Sequence, residues 1–489
     1  MKLSEIFLGF NDGIVEAKQN ADFSTYFYNH ENLADKILDR EKWLVLGRKG
    51  AGKSILGQYL VERVNNPDGF GDFSSYKDVH IHRLEDLKSD DVSPNQFISI
   101  WKWFFLIQLS KIILRSQELI HDENHGRLEK FFKDNFGEKP IDAQMILETT
   151  KGKKFSGVLK DIGIEVGGEH STSTKSTPGD YLNYIDDLEE TLFSLLQKSR
   201  MRYILVIDEL DHRFQRTQLY QDLLVGVIYA ANYLNEKFIE GKMNAGVVVL
   251  LRTDIARWLN DVDLNKILSD FSISIDWGRE ESLNSPLFDL ILTKIRASSK
   301  SGELSSISRH HLLSMYFPVQ HMSTPGFAEF FLSRTLLRPR DAVQYLKFVR
   351  DLSPSEISFT KNNLYNAEGR YSEYLWGEFR NELKGVLPDH EIELMNRLLT
   401  ALGKKEFLWK DVTECHETRL KGDPNFDLHN AFRKLFEYSI VGNRYFDQKK
   451  SRTVHIWHYL NHTVGTADID FDLTILVHRG LHKFLNLRS

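Results

Sequence analysis

Gly47-Arg48-Lys49-Gly50-Ala51-Gly52-Lys53-Ser54 is a complete match to the G-x-x-x-x-G-K-[ST] pattern. Glycines at that spacing let backbone N–H groups turn inward on phosphate oxygens, and a following helix adds the positive end of its dipole. Lys53 is placed to neutralise β and γ phosphates, and the Ser54 hydroxyl to ligate Mg²⁺. A second cluster, Ile204-Leu205-Val206-Ile207-Asp208-Glu209, delivers two carboxylates at the end of four apolar residues. In such a site Asp208 holds Mg²⁺ mostly through water, and Glu209 orients and polarises an attacking water. Buried strands ending in acids are common; downstream of a complete phosphate loop, this one reads as the other half of a nucleotide site.

Two further groups carry weaker signals. Leu251-Arg252-Thr253-Asp254 ends an apolar run, and its polar residues either sense a γ-phosphate or form a salt-bridged strand end. Arg338-Pro339-Arg340-Asp341 opens a helix, with Pro339 suited to the first turn. One of its arginines either swings onto the nucleotide or is a solvated cap charge. Arg213 and Arg216, just beyond the acidic pair, are the nearest candidates for an arginine acting on a neighbouring subunit's nucleotide. Asn265-Lys266 is followed by Ile267-Leu268, so the guanine-reading N-K-x-D motif is missing and ATP is favoured over GTP. The chain has no HExxH, GxSxG or kinase motif set. His455, His458 and His462 alternate faces if their segment is a strand, which argues against a shared metal.

The elements that must position these groups follow from periodicity. Trp43 to Leu46, the glycine loop and SILGQYLVERV predict strand, tight loop and helix. Val79 to Leu84 is a candidate second strand, followed by a long helix from about Ser93 to Ser116. Near-continuous apolar runs predict buried parallel strands in RYILVIDELD and AGVVVLLRTD, with a fifth candidate at Phe271 to Asp276. Strands alternating with helices predict a three-layer α/β domain over 41–277, preceded by a lead-in of 1–40 packing near the nucleotide. Within it, 140–180 reads as an insertion carrying a β-hairpin. A helical lid is expected over 278–351, a helical linker over 352–386, and over 387–489 three helices followed by strand-turn-strand, the outline of a winged helix.

Composition limits the functional classes. The 489 residues suggest two to four domains, and 41% hydrophobic with 27% charged residues describes a globular chain. A net charge of −6 confines any nucleic-acid contact to a local patch. The single cysteine, Cys415, excludes an internal disulfide or a cysteine-rich zinc site and fits a reducing cytoplasm. Glu5, Asp12 and Glu16 interrupt any export signal. Phe97 to Leu114, the most apolar stretch, contains Lys102, Gln108, Ser110 and Lys111 and reads as a buried helix, so no membrane association is expected.

With GRKGAGKS, DELD, LLRTDI, SISIDW, LLRPRDAVQYLK, FEYSIVG and VHRGLHKFL, the sequence resembles the bacterial FunZ-like or origin-recognition-like P-loop ATPases, relatives of the AAA+ and STAND groups. The resemblance implies an ATPase core with an additional central strand, a helical lid and a C-terminal winged helix, often in mobile or antiphage-defence loci. It assigns Gly47 to Ser54 to Walker A, Asp208 and Glu209 to Walker B, Arg252 and Thr253 to the sensor-one region and Arg340 to the sensor-two region. Arg252-Thr253 stands where sensor one usually has asparagine, and no glycine of the usual kind precedes Arg340. The leading expectation is an ATP-hydrolysing switch using Mg²⁺, with Lys53 and Glu209 catalytic and a separate protein effector or a homo-oligomer as partner. The alternative is a DNA-engaging initiator or loader that grips duplex through Arg444, Lys449, Lys450 and Arg452, with Arg433 and Lys434 nearby. Against it, residues 384–489 carry 16 basic and 14 acidic residues, a net of only +2.

Overall fold

The computed structural model describes residues 1–65, 68–76, 96–137, 141–152, 181–210, 217–261, 263–299, 302–318, 326–423, 426–460 and 468–488. They form two compact units, Asp12–Asp276 and the combination of Met1–Asn11 with Trp277–Ser489.

The first unit is built on five parallel strands: β1 (Leu44–Gly47), β2 (Gly69–Ser75), β3 (Arg202–Asp208), β4 (Ala245–Arg252) and β5 (Ser272–Ser274). Their order in space is β2-β3-β4-β1-β5, which puts β4 between the strand that leads into the glycine loop and the strand that ends in Asp208. Chain direction across the sheet reverses after β2, and a right-handed crossover then requires the helices before and after that point to lie on opposite faces. The Lys53–Val64 helix accordingly covers one face, where a side chain at Gly57 would meet Phe73, Val206 and Leu250. The opposite-facing residues Leu205, Ile207, Val247 and Val249 share a core with the Gln96–Ile113, Leu182–Lys198 and Gln218–Glu240 helices.

β2 lies upstream of the expected Val79–Leu84 strand, which falls outside the described residues, as does the hairpin expected in 140–180; residues Ala143–Gly152 are helical. The sequence GFGDFSS looks like a loop because glycine is a poor strand former. Packing explains the glycines: a Cβ at Gly69 would sit 2.1 Å from the Arg202 carbonyl oxygen, and one at Gly71 would sit 2.9 Å from the Ile204 side chain. The apolar Gln96–Ile113 helix is core, with Trp101, Trp103, Phe104 and Phe105 fully buried and the Trp101 indole N–H donating to the Leu223 carbonyl at 2.9 Å. Among the described residues no helix is long and apolar enough to cross a membrane.

In the second unit, Leu3 N–H donates to the Glu356 carbonyl at 2.7 Å, fastening the chain's first residues to the loop after the Pro339–Leu352 helix. The Pro286–Ser298, Arg309–Tyr316, Phe327–Leu332 and Pro339–Leu352 helices fall within the 278–351 stretch expected to be helical, and a long Lys361–Leu383 helix follows. Helices Asp389–Leu402, Trp409–Glu414 and Leu428–Glu437 precede an antiparallel hairpin of β7 (Val441–Asp447) and β8 (Arg452–Ile456). Two short strands complete this sheet, β6 (Glu406–Phe407) and β9 (Thr474–Val477), in the order β6-β9-β7-β8.

Candidate functional site

The glycine loop connects the C-terminal end of β1 to the Lys53–Val64 helix. Gly50 and Gly52 have φ of +79° and +102°, a region that a side-chain-bearing residue enters only with strain. A Cβ at Gly47 would come within 3.2 Å of the Lys53 side chain and 3.3 Å of Ala51, so the cradle is narrow enough that bare backbone must line it. The helix starts at Gly52 with no side-chain cap, leaving its first-turn amides to the loop side. The Lys53 ammonium donates to the Gly47 carbonyl at 3.0 Å and the Arg48 carbonyl at 3.3 Å, held across the cradle by the loop's own oxygens. Backbone amides, a helix N-terminus and an ammonium group converging on one hollow are the donor set that a polyphosphate requires.

β3 brings its carboxylates to the same edge of the sheet. Asp208 is buried, at 3% exposure, and Glu209 takes a left-handed backbone with φ of +59°. A non-glycine residue held there is strained and turns its side chain away from the strand's path. The Glu209 carboxylate accepts a hydrogen bond from the Ser75 hydroxyl at the end of β2, a partner 134 residues away in sequence. Ser75 pairs with Asp208 in the strand register, so this contact follows from the sheet and could not have been read from local sequence. A short polar segment ending a strand beside β3 is the only sequence signal Ser75 carries.

β4 adds the third group. Arg252 is paired with Gly47 in the strand register, directly beside the loop. Its guanidinium grips Asp254 in two bonds, Nε to Oδ1 at 3.0 Å and Nη2 to Oδ2 at 2.6 Å. Burial by itself would raise the Asp254 carboxyl, but the charge and hydrogen bonds of Arg252, with a smaller contribution from Lys53, hold it below the ordinary carboxylate range. The strand end is thus salt-bridged, and Asp254 is electrostatically coupled to the loop lysine. Thr253 begins the short helix that carries Asp254.

The remaining expected groups belong to the second unit or fall outside the described residues. In the second unit, Arg340 forms an ion pair with Glu378 at 3.3 Å. Arg338 is buried: it donates to both Asp341 oxygens, at 2.8 and 3.0 Å, and to Glu382 at 3.2 Å. Neither arginine is a solvated cap charge. Arg213 and Arg216 fall outside the described residues. On the β7–β8 hairpin, Arg444 pairs with Glu406 at 2.5 Å, whereas Lys449, Lys450 and Arg452 are exposed with no side-chain partner among the described residues. Asp447 shapes that turn by accepting from the Lys449 and Lys450 amides at 3.0 and 3.2 Å. Tyr445 and Phe446 are exposed beside them. Among the described residues no group of three histidine, cysteine or acidic side chains is placed to hold a metal, and His462 lies outside them.

Comparison with known proteins gives three findings. Residues 285–380 match the family described as the FunZ-associated C-terminal helical domain, which supports the FunZ side of the resemblance over that stretch. One solved structure, that of the Aeropyrum pernix Orc1 protein in complex with DNA, shares 11% identity over 89% of this chain and 91% of its own; the TM-score of 0.35 is too low to carry an argument. No curated protein matches the chain.

Proposed function

We propose that this chain is an ATP-binding and ATP-hydrolysing switch of the AAA+ and STAND kind. The observation that carries the proposal is the Gly47–Ser54 loop, folded as a narrow backbone-lined cradle between β1 and a helix, with the Lys53 ammonium laid across it. The order β2-β3-β4-β1-β5 agrees with the additional central strand that the resemblance implies.

In this reading the loop amides and Lys53 bind the β and γ phosphates, exchanging the Gly47 and Arg48 carbonyls for phosphate oxygens. Ser54, in the first turn of the helix, and Asp208, at the end of β3, are the oxygen donors that suit Mg²⁺. When bound, Mg²⁺ neutralises charge developing on the phosphate oxygens. Glu209 orients the attacking water and takes its proton, and the Ser75 hydroxyl holds the Glu209 carboxylate. Arg252, fixed by Asp254, sets the polar wall beside the loop. The switch acts beside a separate protein effector, or as a homo-oligomer, in the antiphage setting that the resemblance implies; the match of residues 285–380 to a FunZ-associated domain supports the resemblance itself.

Lys53→Ala tests the central assignment, because it removes the cation laid across the cradle. Isothermal calorimetry with Mg-ATP is expected to show no binding, and undiminished affinity would overturn the reading.

A second reading, engagement of duplex DNA through a winged-helix-like C-terminal part, is favoured by one observation. Lys449, Lys450 and Arg452 are exposed and unpaired among the described residues, at a hairpin tip that also exposes Tyr445 and Phe446. Cations free of carboxylates are available to phosphates.

A further inference from the structure

The cations of the β7–β8 turn share their hairpin with two aromatic rings for which neither a nucleotide site nor phosphate contacts have a use. Phe446 is 60% exposed, and among the described phenylalanines only Phe10, at 38%, is exposed with it. Tyr445 is also exposed. Successive residues of a strand face opposite ways, and the register agrees: Tyr445 lies across from Val454, and Phe446 across from Thr453. With a ring exposed on each face, the end of the hairpin stands in solvent on both sides.

Protection of an open edge accounts for the charges but not for the rings. β8 is the last strand of its sheet, and lysines there discourage edge-to-edge pairing. Exposed rings on the same hairpin act in the opposite sense, because apolar surface beside an open edge invites association.

The charges themselves are available to a ligand. Glu406 neutralises Arg444 at 2.5 Å, but Lys449, Lys450 and Arg452 have no carboxylate partner among the described residues. Asp447, the acid nearest to them in sequence, is engaged by the Lys449 and Lys450 backbone amides. Aromatic faces beside unneutralised cations are the two components of sequence-tolerant single-strand binding, in which rings stack on bases and cations meet phosphates. In a paired duplex the base faces are covered by their neighbours, and a ring reaches them only by unstacking a step. Unpaired nucleotides present those faces without that cost. An anionic membrane also attracts rings paired with cations. Here, however, the 448–451 turn with its two lysines lies beyond the rings along the hairpin, so burying the rings in lipid would drag both charges in with them.

We propose that the end of the β7–β8 hairpin is a binding site for unpaired nucleotides, in which Phe446 stacks on one base, Tyr445 stacks on another, and Lys449, Lys450 and Arg452 meet the neighbouring phosphates. The proposal rests on the DNA reading and adds to it a preference for unpaired over fully paired strands.

The test uses the full chain and a fluorescein-labelled oligothymidine of about 20 nucleotides, single-stranded or annealed to its complement, titrated by fluorescence anisotropy at several salt concentrations. The single strand is expected to bind at least about tenfold more tightly than the duplex. Phe446→Ala should weaken the single strand about tenfold and the duplex by no more than about twofold. It should leave the slope of log affinity against log salt unchanged, because a ring releases no counterions. Phe446→Trp, which keeps a stacking face, should retain the wild-type affinity. Equal single-strand affinity in Phe446→Ala and wild type, or a wild-type preference for duplex, would overturn the proposal and leave the DNA reading standing. A flat titration with both forms would overturn the two together. Cosedimentation with phosphatidylserine vesicles that is lost in Phe446→Ala, without oligonucleotide binding, would assign the rings to lipid and overturn the proposal as well.

Discussion

Asp341→Ala is the perturbation whose cost is most directly worked from the geometry. The Asp341 carboxylate is completely buried and accepts hydrogen bonds from the Arg338 guanidinium at both oxygens and from the Leu336 amide at 3.1 Å. Glu382 supplies a third bond to the Arg338 guanidinium, and the side chains of all three residues are at most 8% exposed. Burial would lower the Arg338 pKa, but these two carboxylates outweigh it and leave it raised. Removing one partner of a buried ion pair costs about 3 to 5 kcal/mol, because the other charge is left without compensation. At 1.36 kcal/mol per tenfold, that is a loss of at least about two orders of magnitude in local protection. With two compact units the chain has no single unfolding midpoint to interpret, so the assay is amide hydrogen exchange on peptides spanning Pro339–Leu352. Arg340→Ala breaks only the partly exposed pair with Glu378 and is expected to cost about 1 kcal/mol or less. The Arg338→Met and Asp341→Leu changes combined should cost less than the sum of their separate effects, since the double variant leaves neither charge of that pair behind. Wild-type exchange in Asp341→Ala, or equal damage from Arg340→Ala, would refute the assignment of Arg338 as the structural arginine of this motif.

The other predictions address chemistry, pH and the hairpin. Glu209→Gln should retain Mg-ATP affinity in calorimetry and lose about 10² to 10⁴ in phosphate release, because an amide orients water without accepting its proton; near-normal turnover would remove Glu209 from the catalytic role. His478 is fully buried and its pKa is depressed by burial to about 3, while His482 is depressed to about 4. Below about pH 6.5 the unfolded chain takes up protons that the folded unit refuses. Stability should therefore fall by about 1.4 kcal/mol per pH unit for each histidine as pH drops toward 4. His478→Gln should remove one such increment from the slope, measured by hydrogen exchange in the second unit at pH 6.5 and 5, and an unchanged slope would count against a neutral buried His478. Changing Lys449, Lys450 and Arg452 together to alanine should weaken duplex binding for every sequence alike. The slope of log affinity against log salt should shrink by about 0.9 for each phosphate that is no longer neutralised; a flat wild-type titration would remove the DNA reading.

What could be read in the chain before folding depended on how locally each feature is encoded. The phosphate loop was legible because eight consecutive residues specify its backbone, and the folded positive-φ glycines at 50 and 52 are the physical content of that spacing. β3 and β4 were legible because burial on both faces leaves near-continuous apolar runs. β2 was not: close contact with β3 demanded Gly69 and Gly71, the residues that make a sequence look like a loop. Neither was Ser75, whose relation to Glu209 exists only through the register of β2 with β3. Arg338 and Arg340 stand two residues apart with the same charge, and only the fold, by enclosing Asp341 and Glu382 around the first, separates a buried structural arginine from a partly exposed one. The C-terminal sheet follows the same logic. The β7–β8 hairpin is local and visible, but β9 comes from the last sixteen residues and inserts between β6 and β7. Its insertion leaves β8 at the end of the sheet, paired only to β7 among the described strands. The cationic turn is therefore carried on a hairpin whose outer strand has one neighbour. A strand in that position remains soluble by carrying charge along its edge, so solubility alone accounts for some of the turn's lysines. Salt dependence separates the two explanations, because cations serving only to protect an edge release no counterions from DNA and give no such slope.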